Sequence, residues 1–186
     1  MKRFILTGTP GSGKTALLRK LEADGFSVVE EAATDVIALE QAMGVAEPWT
    51  QLSFIDSVVK LQHLRQARAC HEQASVQFHD RSVVCTAALA DFLNYPASEF
   101  LTGELERVRA EAVFEPVVFF IRNLGFVEPT EARRISYEEA LRFEAVHERV
   151  YRERGYRIVF IEPGTVADRA AAILEMVQLV TSRIDE

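Results

Sequence analysis

The sequence predicts a three-layer α/β/α fold built on a five-stranded, mainly parallel sheet. Three observations predict it. Short apolar runs alternate with longer helical patterns along the whole chain, the spacing that βαβ crossovers require. One run, Pro116-Val117-Val118-Phe119-Phe120-Ile121, is continuously apolar, as a strand buried on both faces must be. The first strand-to-helix junction reads Gly8-Thr9-Pro10-Gly11-Ser12-Gly13-Lys14-Thr15 and satisfies G-x-x-x-x-G-K-[ST] without a mismatch. With 186 residues the chain can bury one sizeable core, and a single domain over 1–186 is expected.

The elements follow in order. Residues 3–7 form an apolar strand, and the helix after the loop places Leu17, Leu18 and Leu21 on one side. Asp24-Gly25 closes that helix, and 26–29 reads as a second strand finishing at Glu30-Glu31. A helix over 32 to about 43 stops at Gly44. After a break at 47–50, Thr50 is expected to cap a long helix reaching about residue 74, with Phe54, Val58, Leu61 and Leu64 at helical spacing. Residues 76–80 form a third strand ending in Asp80-Arg81-Ser82. Two helices, 85–93 and 98–113, flank Asn94-Tyr95-Pro96, and 116–121 is the fourth strand.

From Arg122 to Ile135 the chain reads as a loop carrying Gly125, Pro129, Arg133 and Arg134. Ser136 then caps a helix, with Glu139 in capping-box register and Ala140, Phe143, Val146 and Val150 on its buried side. Gly155 ends it, 157–161 is the fifth strand, and Val166, Ala170, Ile173, Val177, Val180 and Ile184 give the last helix its apolar stripe.

The glycine-rich loop carries the chemistry. Gly8, Gly11 and Gly13 allow a bend in which successive N–H groups face phosphate oxygens, and the following helix adds its positive dipole end. Thr9, Pro10 and Ser12 complete the cradle. Lys14 reaches the outer phosphates, and the Thr15 hydroxyl can ligate Mg²⁺. The expected ligand is a nucleoside triphosphate with Mg²⁺. Asn123 is followed by Leu124-Gly125-Phe126, so the guanine-specifying N-K-x-D pattern is absent and ATP is favoured over GTP.

Composition narrows the partners. A net charge of -7 gives no global attraction to nucleic acid or an anionic membrane, so no nucleic-acid partner is expected. No apolar run approaches the ~20 residues of a membrane span. Met1-Lys2-Arg3 leads straight into the first strand, leaving no room for a signal peptide, and a cytoplasmic location is expected. Cys70 and Cys85 lack metal-like spacing and read as reduced structural thiols. His63, His71, His79 and His147 likewise form no metal pattern. The alternating charges from Glu138 to Arg154, with Glu138/Arg142 and Glu148/Arg152 at i,i+4, read as a solvated helix face. Oligomeric state is not legible in the sequence.

In a parallel sheet the ligand lies beyond the carboxyl ends of the strands. The charged residues immediately after strands are therefore the candidates. Asp80 can hold Mg²⁺ directly or through water, and Arg81 can contact substrate or phosphate. Glu30 and Glu31 are candidate general bases for a substrate hydroxyl, and strand alternation lets only one face the site. Arg122 follows the fourth strand. Arg133 and Arg134 suit a lid over about 122–136 that folds arginines onto the phosphates. Pro163 and Gly164, in the turn after the fifth strand, are placed to line the adenine pocket.

With the P-loop, Val29-Glu30-Glu31-Ala32-Ala33 and Asp80-Arg81-Ser82 in hand, the chain resembles the AAA-type, kinase-like P-loop NTPases that include a nicotinamide riboside kinase domain. Arg133-Arg134-Ile135-Ser136-Tyr137-Glu138-Glu139-Ala140, Tyr151 with Gly155-Tyr156, and Val166-Ala167-Asp168-Arg169 extend the resemblance over nearly the whole chain. It is similar also to the deoxynucleoside kinases, with a strand-end glutamate as base and an acidic-Arg-Ser triplet after the third strand. The resemblance implies a nucleotide-kinase-like fold with a short lid, Glu31 as the base, Asp80 and Arg81 as the Asp-Arg pair, and Arg133 and Arg134 in the lid. Thr34 stands where the kinase-like members carry an arginine, and Cys85 where an acid often sits, so substrate identity does not transfer. Two functions are consistent with these residues. One is a kinase moving the ATP γ-phosphate to a small, nucleoside-like hydroxyl acceptor. The other is a regulatory NTPase with slow hydrolysis and a protein or lipid partner.

Overall fold

The computed structural model describes residues 1–9, 11–70, 73–123 and 136–182. The strands are β1 (Lys2–Thr7), β2 (Ser27–Val29), β3 (Val76–Asp80), β4 (Val117–Ile121) and β5 (Arg157–Ile161). They form one sheet in the order β2-β3-β1-β4-β5, and every pairing is parallel. The helices are α1 (Lys14–Ala23), α2 (Ala33–Ala42), α3 (Ser53–Ala69), α4 (Val83–Phe92), α5 (Glu99–Ala110), α6 (Tyr137–Glu153) and α7 (Val166–Ser182). The predicted fold class is the observed one.

Alternation along β1 builds the two faces. Phe4 and Leu6 point to one side, where they pack with Leu17, Leu18 and Leu21 of α1 and Ala170, Ile173 and Val177 of α7. Ile5 points to the other and joins Val36, Phe54, Val58, Val84, Leu101 and Tyr151 from α2 to α6. Each fully buried Leu or Phe contributes about 1.5–3 kcal/mol, so the layers are held by burial on both sheet faces. No described helix is long and apolar enough to cross a membrane.

Register brings the functional ends level. Leu6 pairs with Asp80, Ile121 with Ile161, and the Arg81 N–H donates to the Leu6 carbonyl at 2.9 Å. The Arg122 N–H donates to the Ile161 carbonyl at 3.0 Å. Thr7-Gly8, Glu30-Glu31, Asp80-Arg81, Arg122 and Glu162 therefore sit along a single edge of the sheet.

Several boundaries differ from the sequence reading. Thr50 does not cap α3. Pro48–Thr50 winds into a 3-10 turn in which the Thr50 hydroxyl donates to the Glu47 carbonyl at 2.7 Å, and α3 starts at Ser53. That helix stops at Ala69 rather than near 74, and Leu64 is exposed rather than part of the buried stripe. Helix α4 begins at Val83, two residues early, because the Ser82 hydroxyl accepts from the Val84 N–H. The Ser136/Glu139 capping box forms as expected. The α6 face is only partly solvated, since Glu144 and His147 are buried. Cys70 is exposed, in contrast to buried Cys85. Ile184 and His71 lie outside the described residues.

Candidate active site

The phosphate loop is shaped by backbone demands. Gly8, Gly11 and Gly13 have φ of 131°, 83° and 80°. At Gly8 a Cβ would lie 2.3 Å from the Ile121 carbonyl oxygen, so neither the angle nor the space admits a side chain. Thr9 and Ser12 are buried, while Thr15 faces outward in the first turn of α1. The Lys14 ammonium donates to the Thr9 carbonyl at 3.0 Å and to the Ser12 hydroxyl at 3.3 Å, folded back into its own loop. Burial, and then the positive Arg81, lower its pKa to about 7, against the opposing pull of Asp80 and Glu31. Pro10 lies outside the described residues.

On the β2–β3 side the two glutamates part company. Glu30 is exposed and pairs with Arg19 on α1. Glu31 turns inward, accepting from Arg81 Nε at 3.0 Å and from the Thr34 hydroxyl at 2.6 Å. Arg65, on α3, donates to the carbonyls of Glu30 (3.2 Å) and Glu31 and pairs with Asp35. One arginine thus ties the end of β2 to the start of α2.

Arg81 adopts φ 73°, a left-handed backbone unusual outside glycine, between Asp80 and the extended Ser82. Burial opposes its charge, but the Glu31 carboxylate, with Cys85 and Asp80, raises its pKa above the ordinary value. Behind it lies a buried hydroxyl and thiol network. Thr7 Oγ1 contacts Cys85 Sγ at 3.0 Å, and the Tyr151 hydroxyl contacts Cys85 Sγ at 3.0 Å and Ser82 Oγ at 3.1 Å. This network joins α6 to the root of the phosphate loop, with Cys85 at its centre. Burial raises the Tyr151 pKa, keeping it a neutral hydroxyl.

On the β4–β5 side Arg122 lies 3.9 Å over the Phe160 ring and pairs with Glu144 and Glu148, the latter at 2.7 Å. Pro163 and Gly164 occupy the exposed turn before α7, and an added Cβ at Gly164 would meet the Arg169 side chain at 3.9 Å. Arg169 itself is buried and donates from Nη2 to the Ser12 carbonyl at 2.9 Å. Arg133 and Arg134 lie outside the described residues.

No group of three or more His, Cys, Asp or Glu placed to hold a metal ion occurs among the described residues. A Mg²⁺ site completed by phosphate and water needs no such cluster. The outward Thr15 hydroxyl and the buried Asp80 carboxylate are hard oxygen donors suited to that ion. Asp80 pairs with Leu6 of β1, next to the Thr7-Gly8 end of that strand where the loop begins.

Sequence reasoning missed Arg65 and the contacts made by Arg169, Thr7, Cys85 and Tyr151. Arg169 left two signals, its place in the Val166-Ala167-Asp168-Arg169 run and a charge four residues before Ile173 on a buried apolar stripe.

The comparisons with known proteins bear on the family and the fold. The model of a family described as an AAA domain matches residues 3–169. Among solved structures, NadR protein in complex with NAD and AMP-PNP is similar with a TM-score of 0.67 and 17% identity, covering 94% of this chain and 49% of that one. NadR protein in complex with NR gives 0.63 and 18%, covering 86% and 43%. Deoxyadenosine kinase from M. mycoides, with products dCMP and a flexible dCDP, gives 0.63 and 14%, covering 95% and 98%. The chain thus spans less than half of the NadR chains and nearly all of the deoxyadenosine kinase. At these identities the likeness is one of fold. No curated protein sequence matches the chain.

Proposed function

The chain belongs to the AAA domain family and has the fold of P-loop phosphotransferases and NTPases, and from that premise we propose that it is a Mg²⁺-dependent kinase that transfers the ATP γ-phosphate to a small, nucleoside-like hydroxyl acceptor. The observation that carries the proposal is the inward Glu31 carboxylate, held by Arg81 and Thr34 on the strand edge that also bears the phosphate loop. Binding a triphosphate requires the loop, Lys14 and the ion. An anchored carboxylate beside them has its natural use in taking a proton from an attacking hydroxyl.

The roles proposed here rest on strand-end positions and, for Arg133 and Arg134, on the sequence alone. The loop from Gly8 to Thr15 cradles the phosphates, and Lys14 leaves its loop contacts to meet the outer ones. Thr15 and Asp80 would hold the Mg²⁺, which would supply charge neutralisation during phosphoryl transfer. Glu31 orients and deprotonates the acceptor, with Arg81 alongside to contact substrate or phosphate. Arg122, Pro163 and Gly164 border the nucleobase, and Arg133 and Arg134 close over the phosphates from the lid. The single-domain organisation over 1–186 and a cytoplasmic location belong to the same reading. The near-complete overlap with a deoxyadenosine kinase of similar length supports an acceptor of nucleoside size. The NadR structures hold NR in one case and NAD with AMP-PNP in another, which brings nicotinamide riboside into the acceptor panel.

The test is a coupled ADP-release assay with MgATP against a nucleoside panel that includes nicotinamide riboside, with an acceptor-free sample and Lys14→Ala as blank. Acceptor-dependent release is the expected result. Slow hydrolysis indifferent to every acceptor would favour the regulatory NTPase and a protein or lipid partner instead.

A further inference from the structure

Arg169 is an arginine in an environment that offers it little. It is 4% exposed, and its Nε is buried without a hydrogen-bond partner. Among the described residues no carboxylate pairs with it. Its contacts are two backbone carbonyls, Ser12 at 2.9 Å and Arg122 at 3.5 Å. Burial alone acts on its pKa, lowering it. It also sits in the first turn of α7, the end of a helix where the dipole disfavours a cation. Local structure, helix electrostatics and desolvation all argue against a charge here. A guanidinium does not escape by losing its proton, so the charge persists.

The two carbonyls explain the position. Ser12 belongs to the phosphate loop and Arg122 to the end of β4, so one side chain spans two walls of the nucleotide site. It reaches the loop across 157 residues of sequence. In the same loop, Lys14 rests on Thr9 and Ser12 with its own charge weakened by burial.

We infer that Arg169 is a positioning residue for the triphosphate, bracing the Ser12 peptide so that the loop's N–H groups converge, with the bound polyphosphate supplying its missing counter-charge. The inference rests on the nucleotide-binding reading above and adds a residue outside the G-x-x-x-x-G-K-[ST] motif. In this arrangement the charge is tolerated in the empty protein because it is used in the filled one. Removing it weakens polyphosphate binding far more than it weakens the empty fold.

Fluorescent ATP titration and thermal melting of the full chain test this with Arg169→Met, Arg169→Lys and Arg169→Ala. Arg169→Met is expected to weaken MgATP binding at least about tenfold, equivalent to about 1.4 kcal/mol, while affinity for adenosine changes little. Arg169→Lys, which keeps a charge but not the fork that reaches both carbonyls, should fall between. In Arg169→Ala, millimolar guanidinium ion should restore part of the ATP affinity, which a purely structural defect would not allow because guanidinium weakens folding. MgATP affinity within about twofold of wild type in the folded Met and Lys variants overturns the inference, as does guanidinium leaving the Ala variant unchanged. If Arg169→Met does not fold, the Lys variant and the rescue decide. A wild-type chain that fails to bind MgATP contradicts the nucleotide reading itself. Wild-type binding matched by equal binding in every Arg169 variant contradicts this inference alone.

Discussion

Between β2 and β3, the Glu31 carboxylate is held at 3.0 Å by Arg81 and at 2.6 Å by Thr34, with Arg65 fixing the peptide that carries it. Across the phosphate loop, beside β4 and β5, Arg169 meets only carbonyl oxygens among the described residues. The two sides are prepared for different partners. A carboxylate fixed by neighbours has its geometry set before an acceptor arrives, and the hydrogen bonds that fix it leave little to reorganise. A buried cation with no carboxylate has its charge set in advance, and an anionic ligand completes it. On the proposed kinase reading, the acceptor side is organised for aim and the donor side for affinity.

The largest break in this scheme is at the loop both sides share. Gly8→Ala would force a Cβ to within 2.3 Å of the Ile121 oxygen at a φ of 131°, costing about 1–3 kcal/mol in backbone strain before the clash is counted. Loss of MgATP binding together with a lowered melting temperature is the expected outcome, measured by titration and thermal unfolding. Unchanged binding would show that the loop's approach to β4 does not matter.

A change confined to the acceptor side should separate the two functions. Arg65→Ala removes the brace on the Glu30 and Glu31 peptides, and kcat for phosphoryl transfer should fall about tenfold to hundredfold, as for small misplacements of reacting groups. The ATP dissociation constant should hold. A parallel loss of ATP affinity would mean that the two sides are not separable.

The smallest effect is set by pH. The Lys14 pKa is lowered to about 7 from 10.5, first by burial and then by Arg81. Between those values the unfolded chain holds a proton that the empty folded site lacks, so this group makes the unliganded protein more stable as pH rises through that window. Triphosphate oxygens favour the charged amine, so binding takes up a proton there and affinity declines as pH rises above about 7. Calorimetry at about pH 8 in two buffers of different ionisation enthalpy should record an uptake approaching one proton in wild type, and none in Lys14→Met.

Much of this architecture was legible because the constraints were local. Gly8, Gly11 and Gly13 stand at offsets that the loop's left-handed backbone dictates. The run 116–121 is apolar because β4 is covered on both faces, and Ser136 with Glu139 encodes a helix start within four residues. Thr50 misled because a threonine near a helix start has a competing use. Here Pro48 tightens a 3-10 turn that takes its hydroxyl. The braces were illegible for a different reason. Arg65 reaches Glu31 across 34 residues and Arg169 reaches Ser12 across 157. Nothing in helical periodicity tells a buried arginine from a solvated one until the sheet has brought the strand ends together. Strand alternation alone left Glu30 and Glu31 open; the resemblance singled out Glu31, and Arg81 Nε donates to that carboxylate.

On the proposed mechanism Glu31 serves transfer and not nucleotide binding. Glu31→Gln keeps the shape of the side chain and removes its charge, and both MgATP affinity and acceptor-dependent ADP release can be measured on one preparation. ATP binding close to wild type is expected, with transfer reduced about 10²–10⁴-fold, the range of a lost general base. Transfer at the wild-type rate would contradict it, whatever happens to binding.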